Sequence, residues 1–323
     1  MNTLMKQLTK NIFQLTIPTP FLVGPVNTYV VKGDALTLID VGPRTEEALF
    51  SMKEQLKELN LTINDIENIV LTHHHPDHIG LLHSFLPNAK VFGHWKLNPW
   101  LMRDPTFMNH SQKFFMNLYR EHHVPDEMID SITKSNEYFL NYSAEGQVDQ
   151  ILKEGDEIPG LPGWTVLETP GHAQSHISLL SEADRTLIAG DHLIEHISSN
   201  AIIEAPYEEG EGRPKTLLQY RKSLQKCKDI HLCYSGHGNV IEDPKKLILS
   251  RLKEQENKAF YFKEMLGEEP ITCFELCKKV YNRIYKKQPG LTLSETLGHL
   301  DYLEAMNEVT VEKNDGIIYY SSH

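Results

Sequence analysis

The sequence predicts an α/β fold, with a catalytic domain over residues 1–244 and a small helical domain over residues 245–323. Three observations carry this expectation. Between residues 35 and 240, short β-branched apolar runs alternate with stretches whose apolar residues recur at helical spacing. After Pro244 the texture turns helical. Finally, the apolar run Ile69-Val70-Leu71 delivers the loop Thr72-His73-His74-His75-Pro76-Asp77-His78-Ile79-Gly80, with four imidazoles and a carboxylate in six consecutive positions.

The elements follow in order. Ile12 to Ile17, Val26 to Val31 and Leu36 to Ile39 read as strands, punctuated by Pro18, Pro20 and Gly33-Asp34. A helix opens at Thr45-Glu46-Glu47 and carries Ala48, Leu49, Met52, Leu56 and Leu59 on one face. Ile69 to Leu71 and Val91-Phe92 are short buried strands. Residues 95–145 form a helical insertion crowded with Trp95, Trp100, Phe107, Phe114, Phe115, Met116 and Tyr119, with helices over Ser111 to His123 and Asp126 to Phe139. Such aromatics serve either as core or as a cap over a pocket. Strands resume at Thr165 to Leu167, Ile177 to Leu180 and Leu187 to Ala189. An acidic Gly/Pro-rich loop, Glu204 to Pro214, precedes a helix over Thr216 to Cys227 and a strand over His231 to Tyr234.

Three helices follow, Lys245 to Leu266, Thr272 to Tyr281 and Leu293 to Met306, and then a hairpin turning at Asp315-Gly316. Three helices and a hairpin suggest a winged-helix module, but its charge is wrong for DNA. Residues 248–323 carry ten Lys/Arg against twelve Asp/Glu, and the third helix offers Glu295, Asp301 and Glu304 without a cation. Packing or oligomerisation, as in a homodimer, suits this segment better.

The formal net charge of −12 argues against nucleic-acid partners. No apolar run approaches the ~18 residues that would span a membrane. The opening Met1 to Lys10 has no signal-peptide core, so a cytoplasmic location is expected. Cys227, Cys233, Cys273 and Cys277 all stand away from the His loop and read as structural thiols.

Imidazole nitrogens and carboxylate oxygens bind zinc and similar cations, and a hydrolytic centre needs such ligands to converge from several segments. Three later segments offer them: Thr169-Pro170-Gly171-His172, Ala189-Gly190-Asp191-His192 and Ser235-Gly236-His237-Gly238. Each places a His or Asp beside a glycine at the end of an apolar strand, where one sheet edge would gather them. Singly these are weak signals; after an H-x-H-x-D-H loop, three of them are strong.

In this order the motifs T-H-x-H-x-D-H-x-G, P-G-H, G-D and G-H-G resemble the metallo-β-lactamase superfamily, in particular its glyoxalase II and lactamase-B2-like branches. Asp40, in Leu38-Ile39-Asp40-Val41-Gly42, matches that family's early aspartate. The turn His299-Leu300-Asp301-Tyr302-Leu303 resembles part of the winged-helix-like appendage of the related hydrolases.

The resemblance implies an αββα sandwich with two divalent metals. His73, His75 and His172 would hold the first, Asp77, His78 and His237 the second, and Asp191 would bridge them. Zinc leads, with iron or manganese also suited to these donors. A hydroxide shared by the cations would attack the substrate, and Asp77 would orient it. His75 stands where the redox flavodiiron branch commonly has Glu, which favours hydrolysis.

Asp40 and His176 are expected to support the site, Asp40 by fixing the tautomer of a ligand imidazole. His74 is expected to be a spectator, His94 structural, and His192 and His196 exposed or structural. His83, His110, His122 and His123 are expected to be solvated. Arg213 or Lys215 would meet a substrate carboxylate or phosphate. These readings lead to a hydrolase of a small ester, thioester or related acyl substrate. The alternatives are an endoribonuclease acting on single-stranded RNA, disfavoured by charge, and a non-catalytic regulatory or binding protein, disfavoured by the full set of seven ligands.

Overall fold

Side-chain alternation along the strands builds the layers. The computed structural model describes residues 5–208 and 210–323, so residues 1–4 of the polar opening segment and Glu209 of the acidic loop lie outside the described residues. Strands β1 (Met5–Gln7), β2 (Ile12–Ile17), β3 (Val26–Lys32), β4 (Leu36–Ile39), β5 (Asn68–Leu71), β6 (Lys90–Gly93) and β7 (Gln150–Ile151) form one sheet in that order. Pairing is antiparallel from β1 to β4 and parallel from β4 to β7. A second sheet has the order β11 (Leu232–Ser235), β10 (Thr186–Gly190), β9 (Ile177–Ser181), β8 (Trp164–Glu168).

Successive residues of a strand point to opposite faces. Phe13, Val30, Leu38, Ile69 and Val91 therefore pack on Ala48, Met52 and Leu56 of helix α1 (Glu46–Glu58). Their neighbours Ile12, Tyr29, Ile39, Val70 and Phe92 face Val166, Leu179, Ile188 and Tyr234 of the second sheet. The far side of that sheet, through Leu180, Leu187 and Cys233, meets Leu217, Tyr220 and Leu224. Those three residues lie on a helix, Thr216–Lys226. The result is the expected αββα sandwich. Thr45 caps α1, its side chain accepting from Ala48 N.

The insertion contains α3 (Asn98–Leu101), α4 (Pro105–Glu121) and α5 (Asp126–Leu140); α2 (Pro76–Ile79) lies before it in the His loop, and the helix at Thr216–Lys226 is α6. Helix α4 begins six residues before the expected Ser111. Asp104 accepts from Thr106 N, and Pro105 takes the first helical position, where its missing N–H costs nothing. The end of α4 brings a correction: His122 is buried, at 3% exposure, with its ring stacked on Tyr320. His110 is half-buried as well, its Nε2 donating to Pro206 O, whereas His83 and His123 are exposed as expected.

The C-terminal segment folds as α7 (Pro244–Leu266), α8 (Cys273–Tyr281), α9 (Ile284–Lys287) and α10 (Pro289–Ala305), with a third sheet ordered β12 (Ile271–Thr272), β14 (Ile317–Ser322), β13 (Val309–Asn314). Asp315 and Gly316 both have positive φ, as a two-residue hairpin turn requires. Helix α10 starts four residues before the expected Leu293, again with Pro at its first position. All four cysteines are free and buried. Among the described residues no helix is long and apolar enough to cross a membrane.

Candidate active site

Strand β5 ends at Leu71, and the chain passes through Thr72 into a loop that α2 tightens into a single helical turn, with Pro76 at its start. This turn is why residues so close in sequence can serve two different positions. His73 and His75 precede it; Asp77 and His78 lie within it. His172 follows β8, Asp191 follows β10 and His237 follows β11, and the parallel pairing of β10 with β11 brings the last two side by side. All seven expected ligand residues meet at this place.

Their ligand atoms form overlapping groups that could hold metal ions: His73, His75 and His172; Asp77, His78 and His237; and His73, His78 and Asp191. In the first, His75 Nδ1 lies 2.9 Å from His73 Nε2 and 3.0 Å from His172 Nε2. In the second, Asp77 Oδ2 is 3.3 Å from His237 Nε2, and Asp77 Oδ1 is 4.0 Å from His78 Nε2. Asp191 reaches both: Oδ1 is 3.3 Å from His78 Nε2, and Oδ2 is 3.4 Å from His237 Nε2 and 3.7 Å from His172 Nε2. Donors about 2.1 Å from a tetrahedral cation lie roughly 3.4 Å apart, which is the scale of these separations.

The rear nitrogens of four of the ligand imidazoles, those of His73, His78, His172 and His237, are anchored. His78 Nδ1 donates to Asp40 Oδ2 at 2.7 Å, as expected for Asp40. His172 Nδ1 is 2.8 Å from Asn200 O, and His237 Nδ1 is 2.8 Å from Pro25 O. Thr72 Oγ1 donates to Asp40 Oδ2 and faces His73 Nδ1 at 3.0 Å, so Nδ1 carries the proton. In the neutral ring each of these bonds places the proton on the rear nitrogen, which leaves the inward one free to bind a metal. Asp40 performs this double duty from a left-handed backbone conformation, φ 58°, with Thr72 N donating to its other oxygen.

Three of the inward atoms, His78 Nε2, Asp191 Oδ1 and His237 Nε2, are buried without a hydrogen-bond partner. Such atoms are costly unless something satisfies them, and a divalent cation would satisfy all three. The donor set fits the metals expected of it. Burial, with neighbouring imidazoles adding to it, holds His73 and His75 well below the ordinary imidazole range, in the neutral form that metals bind. Burial also pulls on His237, but Asp191 and Asp77 outweigh it and push the ring up to about 10. Burial would raise Asp191, yet His237 and His78 hold its carboxyl well below the usual carboxylate range.

Around this centre His176 bridges two segments, with Nδ1 2.8 Å from Thr169 Oγ1 and Nε2 accepting from Asp191 N at 3.1 Å. It therefore supports Asp191 from behind. His74 turns away from the ligand cluster, to Ser175 Oγ at 2.9 Å, and its ring stacks on Trp100 at 4.3 Å. His94 is buried and accepts from Lys96 N, a structural role. His192 is buried against Tyr220, and His196 is exposed.

Arg213 and Lys215 require a correction. Neither is available to a substrate: both bind Asp301, Arg213 through two bonds of 2.6 and 2.7 Å, and Lys215 also takes Glu304. Sequence reasoning also missed Glu204 and Tyr207. Tyr207 O–H donates to Glu204 Oε2, Trp100 Nε1 donates to Tyr207 Oη, and Gln174 N donates to Glu204 Oε1. The insertion thus divides its aromatics. Trp95, Trp100 and Phe107 gather with Tyr207 beside His74, whereas Phe114, Phe115 and Tyr119 belong to a core shared with the C-terminal segment.

Comparison with known proteins agrees with this geometry. A sequence model of the metallo-beta-lactamase superfamily matches residues 22–229. The chain is 40% identical to the "Probable metallo-hydrolase YqjP" of Bacillus subtilis over 316 residues, covering 97% of this chain and 98% of that protein. It is 26% identical to a "Beta-lactamase-like protein 2 homolog" of Caenorhabditis elegans, over 82% of this chain and 73% of the other. A metallo-beta-lactamase family protein from Thermus thermophilus superposes with a TM-score of 0.82 at 27% identity, covering 98% of this chain and all of that one.

Proposed function

The chain belongs to the metallo-beta-lactamase superfamily and is a metal-dependent hydrolase, and from this premise we propose that it cleaves a small ester, thioester or related acyl substrate at a two-metal centre. His73, His75 and His172 would hold the first cation and Asp77, His78 and His237 the second, with Asp191 within reach of residues of both groups. The observation that carries this reading is the partnerless inward nitrogens of His78 and His237, on rings whose opposite nitrogens are anchored, beside the equally partnerless Asp191 Oδ1. Zinc is the first choice for such donors, with iron or manganese next.

Bound cations lower the pKa of water to around 7 and polarise an acyl carbonyl. The residues of the chain do the rest. Asp40 and the carbonyls of Asn200 and Pro25 keep the ligand lone pairs aimed inward. Asp77 orients the attacking water by accepting its hydrogen bond. The aromatic wall of Trp100, Phe107 and Tyr207 excludes bulk water and takes the apolar part of the substrate. Asp301 and Glu304 cover the cations of the 204–214 loop and of Lys215 just after it, which weakens a case for RNA that overall charge already disfavours.

The test is metal analysis of the purified and reconstituted protein, with a panel of thioesters, esters, lactones, phosphodiesters and single-stranded RNA offered to its zinc, manganese and iron forms. Two metal equivalents and acyl turnover are expected, with Asp191→Ala losing at least a hundredfold in rate. No metal after reconstitution, or cleavage of RNA and of no acyl substrate, would overturn the proposal.

A further inference from the structure

A row of rings leads away from the metal ligands and ends at a cation. His74, between His73 and His75, stacks on Trp100 at 4.3 Å with planes 6° apart. Trp100 meets Phe107 edge-on at 5.2 Å, Phe107 stacks on Tyr207 at 4.8 Å, and Tyr207 meets Trp95 edge-on at 5.7 Å. Lys96 Nζ stands over both last rings, 5.2 Å from the centre of Tyr207 and 5.7 Å from that of Trp95. Trp95, Lys96, Trp100 and Tyr207 are all half-buried, so each keeps part of its surface exposed, whereas Phe107 and His74 are buried.

The charge on Lys96 is not spent. Among the described residues it has no salt-bridge partner, whereas the two other cations of the neighbouring loop, Arg213 and Lys215, are both taken by Asp301. Glu204, the buried carboxyl nearest in the network, is engaged instead by Gln174 N and the Tyr207 hydroxyl. Aromatic faces hold an ammonium in place without neutralising it. In a chain of net charge −12, a cation held at the end of this aromatic row, with no salt-bridge partner among the described residues, is the feature that would draw an anionic ligand towards this side of the site.

We propose that Lys96, with the shelf of Trp95, Trp100 and Tyr207, is the substrate-recognition subsite, and that it selects acyl substrates with a flat apolar body and an anionic oxygen group, carboxylate or phosphate. The body packs against the exposed parts of these rings, which meet partly edge-on, the anion meets Lys96 Nζ, and the scissile acyl group is left at the end nearest His74 and His75. Only this last placement rests on the hydrolase reading; the binding itself does not.

Calorimetric titration of the intact protein separates the two. Its probes are naphthylacetate, naphthylmethylphosphonate and the neutral naphthylethanol. In wild type the anions bind more tightly than the alcohol. In Lys96→Gln the anion-to-neutral affinity ratio falls about tenfold, the scale of one charge-assisted hydrogen bond, and Lys96→Arg retains it. Trp100→Leu weakens all three probes together. The same Lys96→Gln loss persists in the Asp191→Ala background, where a ligand's preference for metal is removed. Preference for the carboxylate or for the phosphonate names the anion. An unchanged ratio in a folded Lys96→Gln protein, judged by near-UV circular dichroism, would overturn the proposal. Absence of ester turnover would count against the hydrolase reading alone.

Discussion

Asp191 owes its position to a residue without a side chain. A Cβ at Gly236 would fall 2.2 Å from Asp191 Oδ1, and Gly190, at φ 50°, leaves a Cβ no room beside Thr72 and His176. Gly236→Ala must therefore push Asp191 away and crowd the Gly190 backbone, 2.9 Å from the new Cβ, at the end of β10. Bound metal is expected to fall from two equivalents to one or fewer, with a lowered unfolding midpoint; mass-spectrometric metal analysis and thermal melts check this. Glu204 makes a second case. Burial pushes its carboxyl up to about 7, against the pull of Gln174 N–H, the Tyr207 hydroxyl and Lys96. Between its ordinary 4.5 and about 7 the folded chain binds more protons than the unfolded one, so its contribution to stability is full below that window and is lost as pH rises through it. The loss is up to about 3 kcal/mol. Glu204→Gln should flatten the fall in melting temperature between pH 5 and 8, and a wild-type slope in the variant would contradict the assignment. At this scale the seven ligands were legible because imidazole and carboxylate side chains announce themselves. The anchors behind His172 and His237 were not, since Asn200 and Pro25 act through backbone carbonyls that any residue possesses.

The segment from Glu204 to Lys215 works as a strap between two parts of the molecule. One end supplies Glu204 and Tyr207 to the aromatic shelf; the other is fastened to α10 through Asp301, itself 3% exposed. Arg213 and Lys215 looked free in the sequence because their partner stands more than eighty residues away, and nothing local marks such a pairing. The starts of α4 and α10 were misplaced for a different reason. Apolar side chains located their middles, whereas an Asp-Pro or Gln-Pro step sets where the first turn closes. The strap gives a prediction of its own. Asp301→Ala leaves the largely buried Arg213 without its carboxylate, a kind of change that costs about 3–5 kcal/mol. Lys215, more exposed, adds little. Urea unfolding should show that loss, and amide exchange should quicken across 210–216; exchange unchanged there would mean that the strap is held elsewhere.

Across the whole chain, the expected division at Pro244 does not coincide with a division of the core. Leu118, Tyr119, Val124, Ile129 and Ile132 of the insertion share one apolar cluster with Ala259, Phe262, Leu276, Leu297 and Leu300 of the C-terminal segment. Helix α10 has ten buried residues, Thr292 to Leu303 among them, because α5, α6, α7 and α8 all pack against it. With ten of its seventeen residues buried, α10 presents little surface, and residues 248–323 carry more acidic than basic side chains. Its role is mechanical: it backs the insertion, and the insertion carries the shelf that begins at His74. Burial of apolar surface contributes about 25 cal/mol per Å², so removing the segment would strip a large stabilising term from α4 and α5. The chain truncated after residue 244 should therefore keep the two central sheets but lose order in the insertion. Dye binding to exposed apolar surface should rise, near-UV ellipticity from Trp95 and Trp100 should fall, and metal bound by residues outside the insertion should survive better than affinity for aromatic ligands. A truncated chain that melts like wild type and still binds naphthylacetate would show that the shelf stands without its support, and the C-terminal segment would then need another reason to be there.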